Sequence, residues 1–436
     1  MNSAKPKVLQ PLAGRPLLRH VLDSARETGS SDICVVYGHG GDEVPSAFAG
    51  EDIRWAFQAE QNGTGHAVQV AMPETPGNNM VVVLYGDVPL LNAATIDRLL
   101  GKCGTTDAGV LTVEMDNPFG YGRIIRENGV VKRNVEEKDA TDDERGITEI
   151  NTGVMCAPAN RLKHWLEHLD NDNSQGEYYL TDVIGMAVAE GVTVHGVAAN
   201  DQVEIMGIND KKQLAEAERA LQIQRAEKLM ADGVTLADPA RIDIRGNLIC
   251  GKDVFIDVNT IFEGDVHIGD NVRIESNNVI INSRIGAGTL VRSNCHIDGA
   301  STGDNCRIGP FARLRPDAKL GSNVGVGNYV EIKKSTIAAG SKVNHLTYIG
   351  DSTIGKDVNV GAGTITCNYD GLNKHQTIIG DGAFIGSGVE LVAPLEIGKG
   401  ATIGAGSTIS KAVPPGKLTL ERARQVTVPG WKSPKK

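Results

Sequence analysis

The sequence predicts an α/β Rossmann-like domain, a helical linker and a left-handed parallel β-helix. Three patterns predict this order. Apolar runs alternate with helical segments over residues 1–208, a charged helical segment covers 209–232, and a six-residue repeat fills 233–436. A length of 436 residues fits two or three domains. The 52 glycines exceed an average share, and the repeats explain the excess.

Composition removes several functional classes. The formal charge of −10 and the pI of about 5.5 leave no basic excess to bind nucleic acid or an anionic membrane. The longest apolar run, Met80 to Tyr85, is too short to cross a bilayer. No leader pattern is visible, and the seven cysteines lack CxxC spacing, so we expect free thiols in the cytoplasm.

The first domain combines short strands with amphipathic helices. This alternation predicts a mainly parallel sheet covered by helices, with ligands at the carboxyl ends of its strands. The predicted strands are Ile33–Tyr37, Met80–Tyr85, Gly109–Val113 and Thr193–Val197, and the predicted helices include Leu17–Thr28 and Ala94–Leu100.

A change of pattern marks the linker. Asn209 or Asp210 can cap a helix, and Gly233 can end it. The segment between them is largely polar, with apolar residues near helical spacing, which predicts an arm between domains. Those apolar residues are Leu214, Ala217, Leu221 and Leu229.

The last domain repeats with a period of six. An aliphatic residue begins each repeat, glycine often follows it, and the fifth residue is small. Three such hexapeptides form one coil of a parallel β-helix, with the first and fifth residues inside. The aliphatic positions include Ile308, Leu314, Leu320, Val326, Ile332, Ile379, Ile385, Leu391, Ile397, Ile403 and Ile409.

Residues 18 apart therefore stack on neighbouring coils, about 4.8 Å apart. Arg315 and Lys333 have this spacing and face outward. Stacked cations repel, so an anion such as a phosphate would explain the pair. The alternative is two solvated side chains that bend apart.

His345 is an outward residue that the coil spacing places near Ala362, between two glycines. A neutral imidazole can accept a proton from an attacking amine. The alternative is an exposed histidine with a structural hydrogen bond. The cation pair and the interruption from Thr366 to Ile378 favour a functional role.

Ser387 and Ala405 are also separated by one coil, and each lies between glycines. They form a smooth wall against which a long, thin ligand can lie, although ordinary repeat sequence would look the same.

Longer motifs resemble one bacterial family, the bifunctional N-acetylglucosamine-1-phosphate uridylyltransferases and glucosamine-1-phosphate N-acetyltransferases. The resemblance covers nearly the whole chain. Its motifs are Phe311-Ala-Arg-Leu-Arg-Pro316, His345-Leu-Thr-Tyr348, Gly361-Ala-Gly-Thr-Ile-Thr-Cys-Asn-Tyr-Asp-Gly371, Pro6-Lys-Val-Leu9, Gln58-Ala-Glu-Gln-Asn-Gly-Thr-Gly65, Tyr85-Gly-Asp87, Gly120-Tyr-Gly-Arg123 and Glu149-Ile-Asn-Thr-Gly153.

The resemblance implies a homotrimer with an acetyltransferase site at its subunit boundaries. His345 would be the general base for attack of the amine of glucosamine-1-phosphate on acetyl-CoA, and a backbone N–H would stabilise the oxyanion. The sugar phosphate would contact Arg315, Lys333, Tyr348 and Asn359. Acetyl-CoA would contact Ala362, Asn368, Tyr369, Ser387, Ala405 and Arg422, with the Asn368–Tyr369 loop also lining the sugar.

The resemblance also implies uridylyl transfer from UTP to N-acetylglucosamine-1-phosphate, giving UDP-N-acetylglucosamine and pyrophosphate. Asp87 and Asn209 would hold Mg²⁺, although Asn209 could also be a plain helix cap. Lys7 would neutralise phosphate, and uridine and sugar would be read by Gln58, Gly63, Thr64, Tyr85, Gly86, Gly122, Glu136 and Asn151.

One departure concerns the beginning of the chain. The family has a glycine-rich strand and turn, Leu-Ala-Ala-Gly-x-Gly-Thr-Arg-Met, before its Pro-Lys-Val-Leu segment, whereas this sequence starts at the position of the final Met. We expect Met1 to be an internal methionine of a longer protein. Without the phosphate-binding turn, we expect acetyl transfer to persist and uridylyl transfer to be weak or absent.

The sequence leaves three other functions to consider. One is an acetyltransferase with a vestigial nucleotidyl domain, and another is a non-catalytic trimeric scaffold. The outward Arg315, Lys333 and His345 speak against a scaffold. A metallo-β-helix is rejected because no two histidines of the repeat lie one coil apart.

Overall fold

The computed structural model describes residues 1–30, 32–38 and 41–433. It divides into two compact units, Met1–Leu221 and Gln222–Lys436. Within the described residues, no helix combines the length and the apolar character needed to span a bilayer.

The first unit contains a six-stranded sheet and two smaller sheets. Its strands are Pro11–Leu12, Arg15–Pro16, Cys34–Tyr37, Arg54–Phe57, Met80–Val83, Ala108–Glu114, Arg123–Glu127, Val130–Val135, Glu149–Pro158 and Val194–Ala198. Its helices are Leu17–Glu27, Glu43–Ala47, Thr64–Ala71, Ala93–Cys103, Asp142–Arg145, Ala159–Glu167 and Asp182–Ala189, with a short 3₁₀ helix at Lys7–Leu9.

The six-stranded sheet is mixed, so the expectation of a mainly parallel sheet is wrong. Glu149–Pro158 runs antiparallel to Met80–Val83, Ala108–Glu114 and Arg123–Glu127. The only parallel pair in this sheet of the described chain joins Ala108–Glu114 to Val194–Ala198. The reversal arises because the chain makes a hairpin and then re-enters the sheet between two strands that it has already built.

The tight turn of that hairpin follows from its sequence. Asn128 and Gly129 have φ angles of 54° and 81° and join Arg123–Glu127 to Val130–Val135. Asn-Gly favours this turn because both central residues need positive φ.

The long helix spans Lys211–Ala231. Its cap is Asp210, whose carboxylate accepts the N–H of Gln213 at 2.7 Å. The division between the two units falls within this helix.

The second unit is a column of parallel strands on three faces. One face contains Thr235–Leu236, Phe255–Ile256, Arg273–Ile274, Leu290–Val291, Arg307–Ile308, Gly325–Asn328, Lys342–His345, Asn359–Val360, Phe384–Ile385, Thr402–Ile403 and Leu418–Thr419. The next contains Ile242–Cys250, Thr260–Ile268, Val279–Ile281, His296–Asp298, Arg313–Leu314, Glu331–Lys333, Tyr348–Gly350, Ile365–Cys367, Glu390–Val392 and Thr408–Ile409. The third contains Arg284–Ile285, Ser301–Thr302, Lys319–Leu320, Thr336–Ile337, Ser352–Ile354, Thr377–Ile379 and Leu395–Ile397, with a 3₁₀ turn at Pro239–Arg241 before the column.

The predicted stacking holds in register. Arg313 pairs with Glu331 one full coil later, and Glu331 pairs in turn with Tyr348. The second step is one position shorter because that coil contains a five-residue repeat. The first residues of the repeats fill the interior, and Leu314, Ile332 and Ile349 are completely buried. Outward residues are thereby fixed in columns, which is what positions the chemistry described next.

Candidate active sites

Three predicted residues of the first unit meet at one point. The Nζ atom of Lys7 lies 2.5 Å from Asp87 Oδ2 and 2.9 Å from Asn209 Oδ1. Asp87 follows the strand Met80–Val83. The backbone oxygen of Asp87 accepts the N–H of Ile208 at 2.9 Å. A carboxylate oxygen and an amide oxygen therefore converge on one cationic atom.

Asn209 is available for this role because its neighbour caps the helix. Asp210 accepts the N–H of Gln213, and the backbone N–H of Asn209 donates to the side chain of Gln213 at 2.7 Å. The residue that caps the helix is therefore Asp210 and not Asn209.

Tyr85 connects this point to the predicted sugar-binding residues. Its hydroxyl bonds to Thr64, and burial, with smaller contributions from Glu136 and Asp87, raises the pKa of Tyr85 to about 12. Its ring lies against Gly153, where a Cβ would be 2.6 Å from the ring carbon Cε2. The Tyr85 phenol therefore stays neutral near both carboxylates.

Other predicted residues are fixed by hydrogen bonds. Glu136 Oε1 accepts from Thr181 Oγ1 at 2.9 Å and from Asn134 Nδ2 at 2.8 Å. The Asn151 side chain accepts the N–H of Gly153 at 2.8 Å, and its own N–H donates to Gly122 O.

The remaining predicted residues lie at glycine turns. Gln58 Nε2 donates to Gly63 O at 3.2 Å, and Gly63 has φ 108°. A Cβ there would lie 2.6 Å from the oxygen of Tyr178, so only glycine fits. Gly86 packs closely against Val8, which would lie 3.2 Å from an added Cβ.

In the second unit, His345 is oriented by the coil before it. Its Nδ1 lies 2.9 Å from the side-chain oxygen of Asn328, the residue paired with it across the strands. Because that oxygen is an acceptor, Nδ1 donates and Nε2 carries the free lone pair. Asn328 was not predicted, although it precedes His345 by one coil of the repeat.

His345 also lies beside the backbone that was predicted to bind acetyl-CoA. The N–H of Gly363 donates to His345 O at 3.3 Å, and the N–H groups of Gly388 and Gly406 continue the series to Ala362 O and Ser387 O. Ala362, Ser387 and Ala405 therefore follow His345 along one edge of the column. The side chain of Arg422 reaches this edge, since its Cδ would lie 3.8 Å from a Cβ on Gly406.

Arg315 directly follows the strand Arg313–Leu314, which pairs with the strand Glu331–Lys333, so Arg315 and Lys333 lie on adjacent coils as predicted. The N–H of Arg315 donates to Ile332 O, and a guanidinium nitrogen lies 2.8 Å from Glu331 Oε1. Lys374 joins them from the inserted loop. Its ammonium, within hydrogen-bonding reach of Lys333, lowers the pKa of Lys333. Burial and Arg315 act in the same direction, whereas Asp351 acts in the opposite one.

Lys374 was missed because the interruption from Thr366 to Ile378 breaks the spacing rule. Together, Arg315, Lys333 and Lys374 form a cation cluster.

Tyr348 and Asn368 approach each other at Gly350, the residue paired with Lys333. Gly350 leaves room for Tyr348, since an added Cβ would lie 2.7 Å from the phenol carbon Cζ. Asn368 Nδ2 donates to Asp351 Oδ2 at 2.6 Å, and the Tyr369 hydroxyl donates to Gly371 O at 2.6 Å.

Asn359 completes the predicted set. It pairs with Lys342 on the coil before and with Phe384 on the coil after.

Comparisons with known proteins agree with this division. The MobA-like NTP transferase domain matches residues 1–180, and the bacterial transferase hexapeptide repeat matches residues 247–282, 299–334 and 376–411. These matches confirm the predicted fold class, a nucleotidyltransferase domain followed by a hexapeptide β-helix.

Full-length relatives are similar over the whole chain. The bifunctional protein GlmU of Herminiimonas arsenicoxydans is 56% identical over 436 residues, covering 100% of this chain and 96% of the relative. That of Azoarcus sp. strain BH72 is 56% identical, with 100% and 97% covered, and that of Acinetobacter baumannii strain ACICU is 52% identical, with 100% and 96% covered. The chain belongs to the GlmU family, the bifunctional acetyltransferases and uridylyltransferases that its motifs resemble.

Proposed function

We propose that each of the two units of this chain catalyses one of the two transfers that make UDP-N-acetylglucosamine. The β-helix unit acetylates glucosamine-1-phosphate with acetyl-CoA, and the α/β unit then transfers uridylyl from UTP to the product. The observation that carries the proposal is the hydrogen bond between His345 and Asn328.

His345 acts as the general base. Its Nε2 accepts a proton from the glucosamine amine as the amine nitrogen attacks the acetyl carbonyl carbon. The carbon–sulfur bond then breaks, and the coenzyme A thiolate leaves and takes up a proton. Asn328 supports this role because it holds the imidazole in the tautomer that keeps Nε2 unprotonated.

The cation cluster binds the phosphate of the sugar. Arg315, Lys333 and Lys374 bring three positive charges together, and an anion relieves their repulsion. Glu331 holds Arg315 in place at 2.8 Å. Tyr348, Asn359, Asn368 and Tyr369 then line the sugar between the phosphate and His345.

Acetyl-CoA lies along the edge of the column. Ala362, Ser387 and Ala405 present backbone and small side chains there, so a long ligand can approach closely. Arg422 supplies a positive charge at the same edge, which suits the phosphates of coenzyme A.

Asp87 and Asn209 hold Mg²⁺ for uridylyl transfer. Their oxygens fit this ion, since Mg²⁺ prefers carboxylate and carbonyl oxygens and takes its other ligands from water and substrate phosphates. Their convergence on the ammonium of Lys7 supports a cation at this point. When bound, Mg²⁺ would neutralise phosphate charge and so aid attack at the α-phosphorus.

Lys7 binds phosphate, and the residues around Tyr85 read the uridine and the sugar. Tyr85, Glu136, Asn151 and the glycines near them are fixed by contacts within the unit, so they can position substrate for in-line attack without a protein nucleophile.

Exposed apolar residues support assembly as a homotrimer. Phe311, Tyr329 and Leu346 follow one another on adjacent coils and are 46%, 58% and 62% exposed. Their φ angles are 55°, 55° and 47°, a conformation that costs large residues about 1–2 kcal/mol each. These three residues form an apolar ladder. A second copy of the chain that covers this ladder would offset the conformational cost and close the site at His345 from outside.

A cytoplasmic location is part of the proposal. The seven cysteines all fall within the described residues and are free thiols there, which suits a reducing compartment.

Two variants assayed for both reactions test the proposal. His345→Ala should lose acetyl transfer by a factor of about 10²–10⁴ and keep uridylyl transfer, because only the first reaction uses this base. Asp87→Ala should do the reverse. The proposal fails if one variant loses both activities while it remains folded, or if His345→Ala retains acetyl transfer.

The same assays test the scaffold alternative, which predicts no acetyl transfer that depends on His345.

A further inference from the structure

The inserted loop closes on itself as a small hairpin. Tyr369 and Lys374 form an antiparallel bridge. The N–H of Asp370 donates to Asn373 O at 3.1 Å, and the N–H of His375 donates to Asn368 O at 2.8 Å. The loop therefore has a defined shape outside the column.

One carboxylate joins the two arms of this hairpin. Asp370 Oδ1 accepts the N–H of Leu372 at 2.8 Å and of Asn373 at 2.6 Å, and Asp370 Oδ2 lies 2.7 Å from His375 Nε2. Three hydrogen bonds hold the pKa of Asp370 well below its ordinary range. In decreasing order of effect, they come from the N–H of Asn373, from His375 and from the N–H of Leu372. The carboxylate stays ionised and keeps all three partners.

Lys374 lies between two residues that this carboxylate binds, Asn373 and His375. Its ammonium reaches Lys333, which Arg315 also faces. Like charges repel, so an unrestrained loop would carry Lys374 away from the cluster. The hairpin must hold it there before an anion arrives.

We propose that Asp370 and His375 form a clasp that positions Lys374 for the phosphate of the sugar substrate. Both are positioning residues, because neither belongs to the cation cluster itself. This inference rests on the proposed function, in which the cluster binds that phosphate. Preorganisation of this kind lowers the cost of binding, because the loop is ordered before the substrate arrives.

Steady-state kinetics of acetyl transfer test the clasp. His375→Ala should raise KM for glucosamine-1-phosphate roughly three- to tenfold and leave kcat and the KM for acetyl-CoA nearly unchanged. His375→Gln, which retains a donor, should restore part of the loss. His267→Ala is the matched control, since His267 also pairs with a carboxylate, Asp265, at 3.1 Å on an early coil.

The double variant Lys374→Ala/His375→Ala separates the clasp from the phosphate site. If His375 acts through Lys374, the double variant should have the same KM as Lys374→Ala alone. The clasp is wrong if Lys374→Ala raises KM but His375→Ala does not, or if the two effects add. If Lys374→Ala itself leaves KM unchanged, the phosphate site of the proposed function fails instead.

Discussion

His345 Nδ1 and the side-chain oxygen of Asn328 lie 2.9 Å apart on adjacent coils. The sequence places one above the other, since strand pairing fixes their register. In the proposed acetyl transfer, this contact leaves Nε2 of His345 to face the reacting amine.

Asn328→Ala should therefore lower kcat for acetyl transfer about 10- to 100-fold, a range typical for loss of a partner that orients a functional group. KM for both substrates should change little. Asn328→Asp keeps an acceptor oxygen and should retain most of the rate. Equal kcat values for Asn328→Ala and the unchanged protein would contradict the orienting role.

Asn209→Ala should raise the Mg²⁺ concentration needed for half-maximal uridylyl transfer by about tenfold or more, because one oxygen ligand is lost. A titration of uridylyl transfer with Mg²⁺ measures this. Acetyl transfer should not change.

Asp210→Ala is the control for Asn209→Ala. It removes the helix cap, worth about 1 kcal/mol of stability, and should leave the Mg²⁺ requirement unchanged. A Mg²⁺ effect in Asp210→Ala but not in Asn209→Ala would overturn the assignment.

Leu346→Glu should dissociate the assembly, because a charge would be buried in the apolar ladder. Sedimentation should give a lower mass, and acetyl transfer should fall while uridylyl transfer persists. Val130→Glu, at an apolar residue of the first unit that is 46% exposed, should change neither. An unchanged mass for Leu346→Glu would show that the ladder is not an interface.

Tyr85 should make the protein less stable as pH rises from 10 to 12. Its ordinary pKa is 10.0 and the folded pKa is about 12. In this window the unfolded chain loses the proton while the folded protein keeps it, so the free energy of unfolding falls by about 2–3 kcal/mol at most.

Tyr85→Phe should lose less stability over the same range. Thermal unfolding of both proteins from pH 9 to 11 measures the difference, and parallel curves would contradict the shift.

The repeat made much of the second unit predictable. Because coil spacing converts residue numbers into positions, it placed Arg315 beside Lys333 and His345 beside Ala362 from their numbering alone. The same rule would have found Asn328. Lys374 was beyond its reach, since the loop leaves the column and only its internal hydrogen bonds determine where it ends.

The first unit was less predictable for a physical reason. Apolar periodicity identifies a strand but not its direction, so the antiparallel entry of Glu149–Pro158 was missed. The meeting of Lys7, Asp87 and Asn209 joins residues up to 202 positions apart. Only the resemblance to a family, and not the pattern of residues, brought Lys7 and Asn209 together.

The coils around the inserted loop stay in step despite the added chain. Val343 pairs with Val360 after a single uninterrupted coil, whereas the coil from Asn359 to its partner Phe384 includes the whole loop, yet the strands remain parallel and aligned. The additional residues therefore lie outside the column, and the coils before and after the loop remain aligned. The length and charge of such a loop could change, in evolution or by engineering, so that a different acceptor binds. The column and the proposed general base, His345, would stay as they are.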